Sequence, residues 1–372
     1  MKTELAETIL RSAMSHWTLN EQMAEIRDIQ VISEIKYDDF QNYTHGTRYV
    51  ENLALWLRQF KNKADRQLAY NFIKNELIYI SEEEMKQLVS YSYPIIMMPY
   101  ILNNMRNFCD SHPSLSLDVQ QRKEIFSYFR RRSLFLGLSD GSHMDFFRRQ
   151  NRELSNEQVF LHYDLSQEKA DDMLDELNKD NDVCRIRSQF NINDKDGFES
   201  YFLIDDFSGS GTSYLRKDEG GWHGKIKKFF DSLKKAGYDL DHADIHLVLY
   251  LATRQSIEYL NRVSKEFCID SGYKDITIDR VQDIMPIEWD KHTELLDLLK
   301  RNFEENQKEY KESYVDRHFN VGKGKCPYKG YADCSLPLVL YHNTPNNSLP
   351  VLWYSWGTEV NALFLRITRH KE

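Results

Sequence analysis

The sequence predicts an α/β protein, with a mainly parallel sheet carrying helices on both faces and a helical N-terminal module before it. Three observations carry this. The first hundred residues repeat apolar side chains at helical spacing. Beyond about residue 130, apolar runs of four to seven residues alternate with amphipathic stretches, as expected of strands buried on both faces. Between the two patterns lies "SHPSLSLD" (111–118), which is small, polar and contains Pro113. The expected division is therefore a helical module over 1–115 and an α/β domain over 116–372.

In the N-terminal part, "TRYVENLALWLRQF" places Val50, Leu53, Leu57 and Phe60 on one helix face, with Ala54 beside them. "RQLAYNFIKNELIYI" continues the helical spacing through Leu68, Phe72, Leu77 and Ile80. Ser81 with Glu84 has the spacing of a capping box and opens the next helix.

Strands follow the boundary. Leu134–Leu138 forms one and "VFLHYDLS" another. "FESYFLIDDFSGSG" holds the clearest, ending at Ile204, with a helix opening at Thr212 or Ser213 that Gly220-Gly221 interrupts or divides into two. "ADIHLVLYLATRQSIEYL" reads as strand, turn at Ala252-Thr253, then helix, and "DITIDRVQDIMP" as one more strand. "LLKRNFEENQKEYKESYVDRHF" is a charge-rich, solvated helix. The tail, "GYADCSLPLVLYHNTPNNSLPVLWYSWGTE", reads as a strand pair. Its polar loop, with Tyr341, His342, Asn343, Asn346 and Asn347, either shapes a mouth over a ligand or is simply satisfied by itself.

Composition excludes several classes. The 372 residues are 41% hydrophobic, enough for a core, and carry a net charge of −9, which argues against general DNA binding. No apolar run is long enough for a membrane span, and the N-terminus lacks a signal peptide's apolar stretch, so a cytoplasmic protein is expected. The five cysteines (109, 184, 268, 326 and 334) include no C-x-x-C pair and read as reduced thiols rather than disulfides or a zinc site. No metal-ligating set is expected.

"LIDDFSGSGTS" holds the chemistry. It lacks the lysine of a Walker A loop and the third glycine of a Rossmann fingerprint. Two adjacent carboxylates at the end of an apolar run are costly unless something binds them. A glycine-rich turn at a strand's carboxyl end offers successive backbone N–H groups to an anion. Asp205 and Asp206 would then accept from a vicinal diol. Ser208, Gly209, Ser210, Gly211, Thr212 and Ser213 would cradle a phosphate, the glycines allowing close approach. Phosphate at one end and diol at the other describe a ribose 5-phosphate.

These residues resemble the signature of type I phosphoribosyltransferases. Tyr201–Ile204 match its apolar run, Asp205 and Asp206 its acidic pair, and Gly209–Ser213 its 5-phosphate loop. Phe207 departs from the usual aliphatic residue, and the loop is richer in serine. The resemblance covers roughly residues 125–372. It implies phosphoribosyl pyrophosphate as ligand, Mg²⁺ on that pyrophosphate, and catalysis by Asp205 and Asp206. It also implies a pyrophosphate loop, for which Ser139, Asp140, Gly141 and Ser142, with Arg148 and Arg149 beyond, are the candidates; a solvated surface turn is the alternative. More widely, "RYVENLALWLRQF", "LIYISEEEM", "LFLGLSDGS" and "PLVLYHNTPNNSLPVLW" resemble the phosphoribosyltransferase-like effectors of bacterial antiviral systems, some built around retrons. That implies protein or RNA partners in a defence complex. It leaves open whether the pocket turns over a ribose phosphate or nucleotide, or senses it without chemistry.

Other residues are weaker candidates. His143 stands where it could assist a leaving group, or as a bystander. Arg130, Arg131 and Arg132 read as an RNA or partner patch, or as a favourable basic helix end. Gly322–Lys325 reads as a basic loop or a linker. The clusters of Glu34 with Asp38 and Asp39, and of Glu82–Glu84, read as solvated faces and helix starts.

Overall fold

The computed structural model describes residues 2–43, 48–113, 117–161, 167–190, 192, 197–238, 240, 243–306, 317–355 and 360–367. By its contacts the chain forms two compact units. One joins Met1–Met85 to Met285–Glu372, and the other is Lys86–Ile284.

The first unit begins with helices α1 (Lys2–Ala13), α2 (Leu19–Ile32), α3 (Tyr49–Arg58) and α4 (Lys63–Glu76). Val50, Leu53, Ala54, Leu57 and Phe60 are buried, as their spacing requires. The helix expected to reach Ile80 stops at Glu76, and Leu77 is already extended (φ −63°, ψ 123°). Ile78-Tyr79-Ile80, two β-branched residues around an aromatic, form strand β1 instead. The capping box is present: the Ser81 N–H donates to Glu84 Oε2 at 2.8 Å, and the Glu84 N–H to Ser81 Oγ at 3.3 Å. It opens α5 (Glu82–Tyr91).

The second unit continues with α6 (Met98–Ser111) and α7 (Val119–Arg131), joined by the proline-containing stretch, of which 114–116 lie outside the described residues. Then come β2 (Ser133–Gly137), α8 (Met144–Gln150), β3 (Val159–Phe160), α9 (Gln167–Lys179), α10 (Asn181–Phe190) and β4 (Ser200–Ser208). After these lie β5 (Arg216–Asp218), β6 (Gly221–His223), α11 (Lys225–Lys235), β7 (Asp244–Thr253), α12 (Arg254–Ser271) and β8 (Ile276–Ile284). Five strands make one sheet in the order β3-β2-β4-β7-β8, every neighbouring pair parallel. This is the expected α/β architecture, with β4 at its centre. Leu136, Leu203 and Leu247 lie in register across β2, β4 and β7, all buried. Phe135 stacks on Phe202 (ring centroids 5.2 Å apart), and His246 stacks on Phe202 at 4.7 Å. Burial pushes the His246 pKa down to about 4.

Back in the first unit, α13 (Thr293–Glu305) and β9 (Leu338–Leu340) follow. β9 pairs in parallel with β1, Leu338 opposite Ile78, rather than with a second tail strand. Residues after it cannot build that strand because Pro345 and Pro350 lack ladder donors; Pro350 opens a short helix to Trp353. Asn347 is buried, its amide donating to Tyr331 O and Cys334 Sγ, both at 3.2 Å. The Gly322–Lys325 turn is packed. A Cβ at Gly322 would lie 2.8 Å from the Tyr331 ring, and the Lys325 N–H donates to Asp333 Oδ2 at 2.8 Å. Two further expectations narrow. The strand at 159–166 is only Val159–Phe160, with 162–166 outside the described residues, and the charge-rich helix is described to Glu305. All five cysteines are free thiols. Among the described residues no helix is long and apolar enough to cross a membrane.

Candidate ligand site

Strand β4 runs past Ile204 to Ser208, so both aspartates lie within it. The reason is tertiary: β7 continues alongside and pairs Phe207 with Leu251 and Ser208 with Ala252. Strand alternation sends the two carboxylates to opposite faces. Asp205 is wholly buried. Its Oδ1 accepts from Ser139 Oγ, and its Oδ2 from Tyr214 OH at 2.7 Å and from Lys225 Nζ, an ion pair. Burial pushes the Asp205 carboxyl above its ordinary range; Lys225 opposes this and the neighbouring Asp206 adds to it. Asp206 is only half-buried, and its Oδ1 accepts the Phe207 N–H at 2.8 Å. A Cβ on Gly141 would stand 2.4 Å from Asp206 Oδ2, so this carboxylate packs against bare backbone.

The loop after β2 is thus tied to both aspartates, through Ser139 and Gly141. Asp140–Ser142 forms a single 3-10 turn, and His143 (φ 48°) turns the chain into α8. Ser142 closes the turn on Ser139 O through its N–H (3.1 Å) and Oγ (2.6 Å), and Tyr250 OH of β7 donates to Ser142 O at 2.7 Å. Arg148 is exposed on α8 and lines a surface cavity with Arg149, Arg152, Leu154 and Asn156, none of which belongs to the aspartate cluster.

The loop after β4 is held from beneath by α12. Thr253 Oγ1 donates to Gly209 O at 2.6 Å, and the Ser208 and Ser256 hydroxyls share a bond of 2.6 Å. Gly209, Ser210 and Gly211 are buried; Gly209 directly follows the last ladder pair of β4 with β7, and among the described residues the Ser210 and Gly211 N–H groups have no acceptor. Buried N–H groups are seldom left so, and two in succession form an open cradle. Gly211 has φ +79°, and a Cβ there would lie 2.8 Å from both Leu260 Cγ and Tyr259 Cδ1. Packing against α12 therefore demands this glycine.

The helix expected at Thr212 or Ser213 opens at Lys225. Arg216–His223 is a hairpin in which Asp218 pairs with Gly221. Gly221 has φ +105°, and the charged residues around Gly220-Gly221 suit a tight turn rather than a helical nucleus. Gly224 (φ +120°) brings the chain back: the Lys225 N–H donates to Ser213 O at 3.1 Å and the Ile226 N–H to Tyr214 O at 2.9 Å.

A PRTase-CE family model matches residues 53–366, spanning both loops and both aspartates. The chain belongs to the PRTase-CE family. This is a phosphoribosyltransferase-like family. No curated protein matches the PRTase-CE chain, and no solved structure does.

In this PRTase-CE site the residues that sequence reasoning missed are Tyr214, Lys225, Tyr250, Thr253 and Ser256. Gly224 ahead of the amphipathic "KIKKFF" marks a helix start, but nothing in the spacing says that its first lysine reaches Asp205. The arginine triad divides. Arg132 is buried against Tyr128 OH, Gly197 O and Glu199, and Arg131 is paired with Glu157 (2.9 Å) and Asp180 (3.0 Å). It is therefore not one basic surface. Chemically, the arrangement offers an anion backbone N–H donors and offers a polyol the carboxyl oxygens of Asp206.

Proposed function

We propose that this protein binds phosphoribosyl pyrophosphate, or a related ribose 5-phosphate or nucleotide, and catalyses phosphoribosyl transfer or N-glycosidic cleavage as an effector of bacterial antiviral defence. One observation supports this most: among the described residues the buried Ser210 and Gly211 N–H groups have no acceptor, and they follow the half-buried carboxylate of Asp206 by four and five positions. The loop would hold the 5-phosphate. Asp206, beside the Asp205 anchor, would accept from the ribose hydroxyls and offset the positive charge that develops at C1. Ser139–Ser142, already packed on both aspartates, would take the pyrophosphate. Mg²⁺ binds through one or two carboxylates and substrate phosphates rather than a protein cage, so Asp206 and the ligand suffice as its donors; it would neutralise the departing pyrophosphate. Protein or RNA partners of a defence complex and a retron setting belong to the same reading.

A second reading is a sensor that binds the same ligand without turnover. It is favoured by the saturation of Asp205, whose oxygens are taken up by Ser139, Tyr214 and Lys225. Incubation with labelled phosphoribosyl pyrophosphate, Mg²⁺ and a nucleotide panel, read by mass spectrometry, separates the two. Product formation supports the enzyme, saturable binding without product supports the sensor, and neither would overturn the assignment of the pocket.

A further inference from the structure

Arg148, Arg149 and Arg152, with Leu154 and Asn156, line an open cavity of about 370 Å³ in the second unit. On a chain of net charge −9 this is a local reversal of sign. Arg149 pairs with Asp145 at 2.8 Å, both side chains mostly exposed. Among the described residues Arg148 and Arg152 have neither a hydrogen-bond nor an ion-pair partner.

Helix capping does not account for the cluster. Basic residues in a last turn complement the helix dipole, and Arg148 and Arg149 close α8. Asn151 caps one carbonyl of that turn, its N–H (3.2 Å) and side-chain amide (2.8 Å) both donating to Phe147 O, and Arg152 lies outside the helix, where the dipole gives it no role. The segment carrying Arg152 is also fixed from within. Asn151, Leu154 and Gln158 are buried, the Leu154 N–H donates to Asn151 O at 3.0 Å, and the Gln158 amide donates to Arg130 O (2.6 Å) and Ser133 O (2.8 Å). Three guanidinium groups thus line one concave surface, and only Arg149 among them has a carboxylate partner among the described residues.

We infer that this cavity is a second ligand site, one that takes closely spaced phosphate groups. Guanidinium forks match phosphate oxygens two at a time, and two or three on one concave surface suit adjoining phosphates better than one isolated ion. Such groups come from a single nucleic-acid strand or from a free oligophosphate. The site is independent of the Asp205–Asp206 pocket, and its test does not depend on that pocket's chemistry.

The test is fluorescence anisotropy of the full-length protein with a labelled single-stranded oligonucleotide across a salt series, with inorganic tripolyphosphate as competitor. Wild-type protein should bind, and R148Q/R152Q should weaken binding at least about tenfold. Loss of two contacts should flatten the slope of log K against log salt by about 1.4. R262Q/K265Q, which removes the same charge from the exposed face of α12, should bind as wild type does. R148K/R152K should recover only part of the loss if fork geometry matters. Competition by tripolyphosphate identifies a free oligophosphate as sufficient; binding without competition identifies a strand. Absence of wild-type binding to either probe at low salt overturns the inference. So does a R148Q/R152Q variant, folded by circular dichroism, that binds with unchanged affinity and slope, or an equal loss in R262Q/K265Q.

Discussion

Tyr214 donates its phenolic hydrogen to Asp205 Oδ2 at 2.7 Å, reaching back nine residues to the strand that launches its own loop. Its ring also lies 4.9 Å from Lys225 Nζ, which pairs with the same oxygen. The glycine-rich loop is therefore closed at both ends on one buried carboxylate. Asp205 is the anchor of the site, and Asp206 is its accessible face.

Lys225→Met should leave Asp205 buried without its cation and cost about 3 kcal/mol, as expected for one partner removed from a buried pair. Asp205→Asn in the same chain should recover most of that loss. The Asp205 pKa is raised in the folded state, so its contribution is fully present below the unfolded value and is lost as pH rises through the folded one. Removing Lys225 raises it further, so the variant's deficit should shrink on acidification. Urea denaturation of the double-mutant cycle at two pH values measures this; additive single effects would contradict it.

Asp206→Asn should leave stability nearly unchanged, because the carboxylate is half-buried and its Oδ1 bond from the Phe207 N–H can be kept by the amide oxygen. Affinity for ribose 5-phosphate should fall by about ten- to hundredfold, the loss of a charged acceptor. Calorimetric titration of the variant beside wild type reads both; an unaltered affinity would remove Asp206 from the ligand.

Gly211→Ala should cost about 2–4 kcal/mol, combining left-handed backbone strain with a clash against Leu260 and Tyr259. Adding Leu260→Ala should relieve part of the clash and none of the backbone strain. Thermal melts of the single and double variants test this, and a Gly211→Ala protein as stable as wild type would show that the loop relaxes.

His246→Phe should change how stability falls in acid. The His246 pKa is lowered to about 4, so its contribution is present above the ordinary value near 6.5 and is lost as pH falls through about 4. That window is worth about 3 kcal/mol. The variant should lose less stability than wild type between pH 7 and pH 4, read from urea midpoints; parallel curves would exclude His246 as the cause.

The parallel sheet, its clearest strands and the identity of the acidic pair and small-residue loop were legible in the sequence because each depends on local pattern. Leu134, Leu203 and Leu247 sit in runs whose apolar length already requires burial on two faces. Local pattern failed where a neighbour decided the outcome. Ile78-Tyr79-Ile80 left the α4 helix because β9 offered a strand partner from far along the chain, and β4 outlasted Ile204 because β7 extended beside it. Helical expectation at Thr212 gave way to the β5–β6 hairpin, and Lys225 reached Asp205 only because Gly224 folded the chain back on Tyr214. Sequence by itself determined which residues carry charge, small size and apolar length. Which carboxylate is buried and which is open was decided by the tertiary structure, since that depends on whose hydroxyl and ammonium groups arrive beside it.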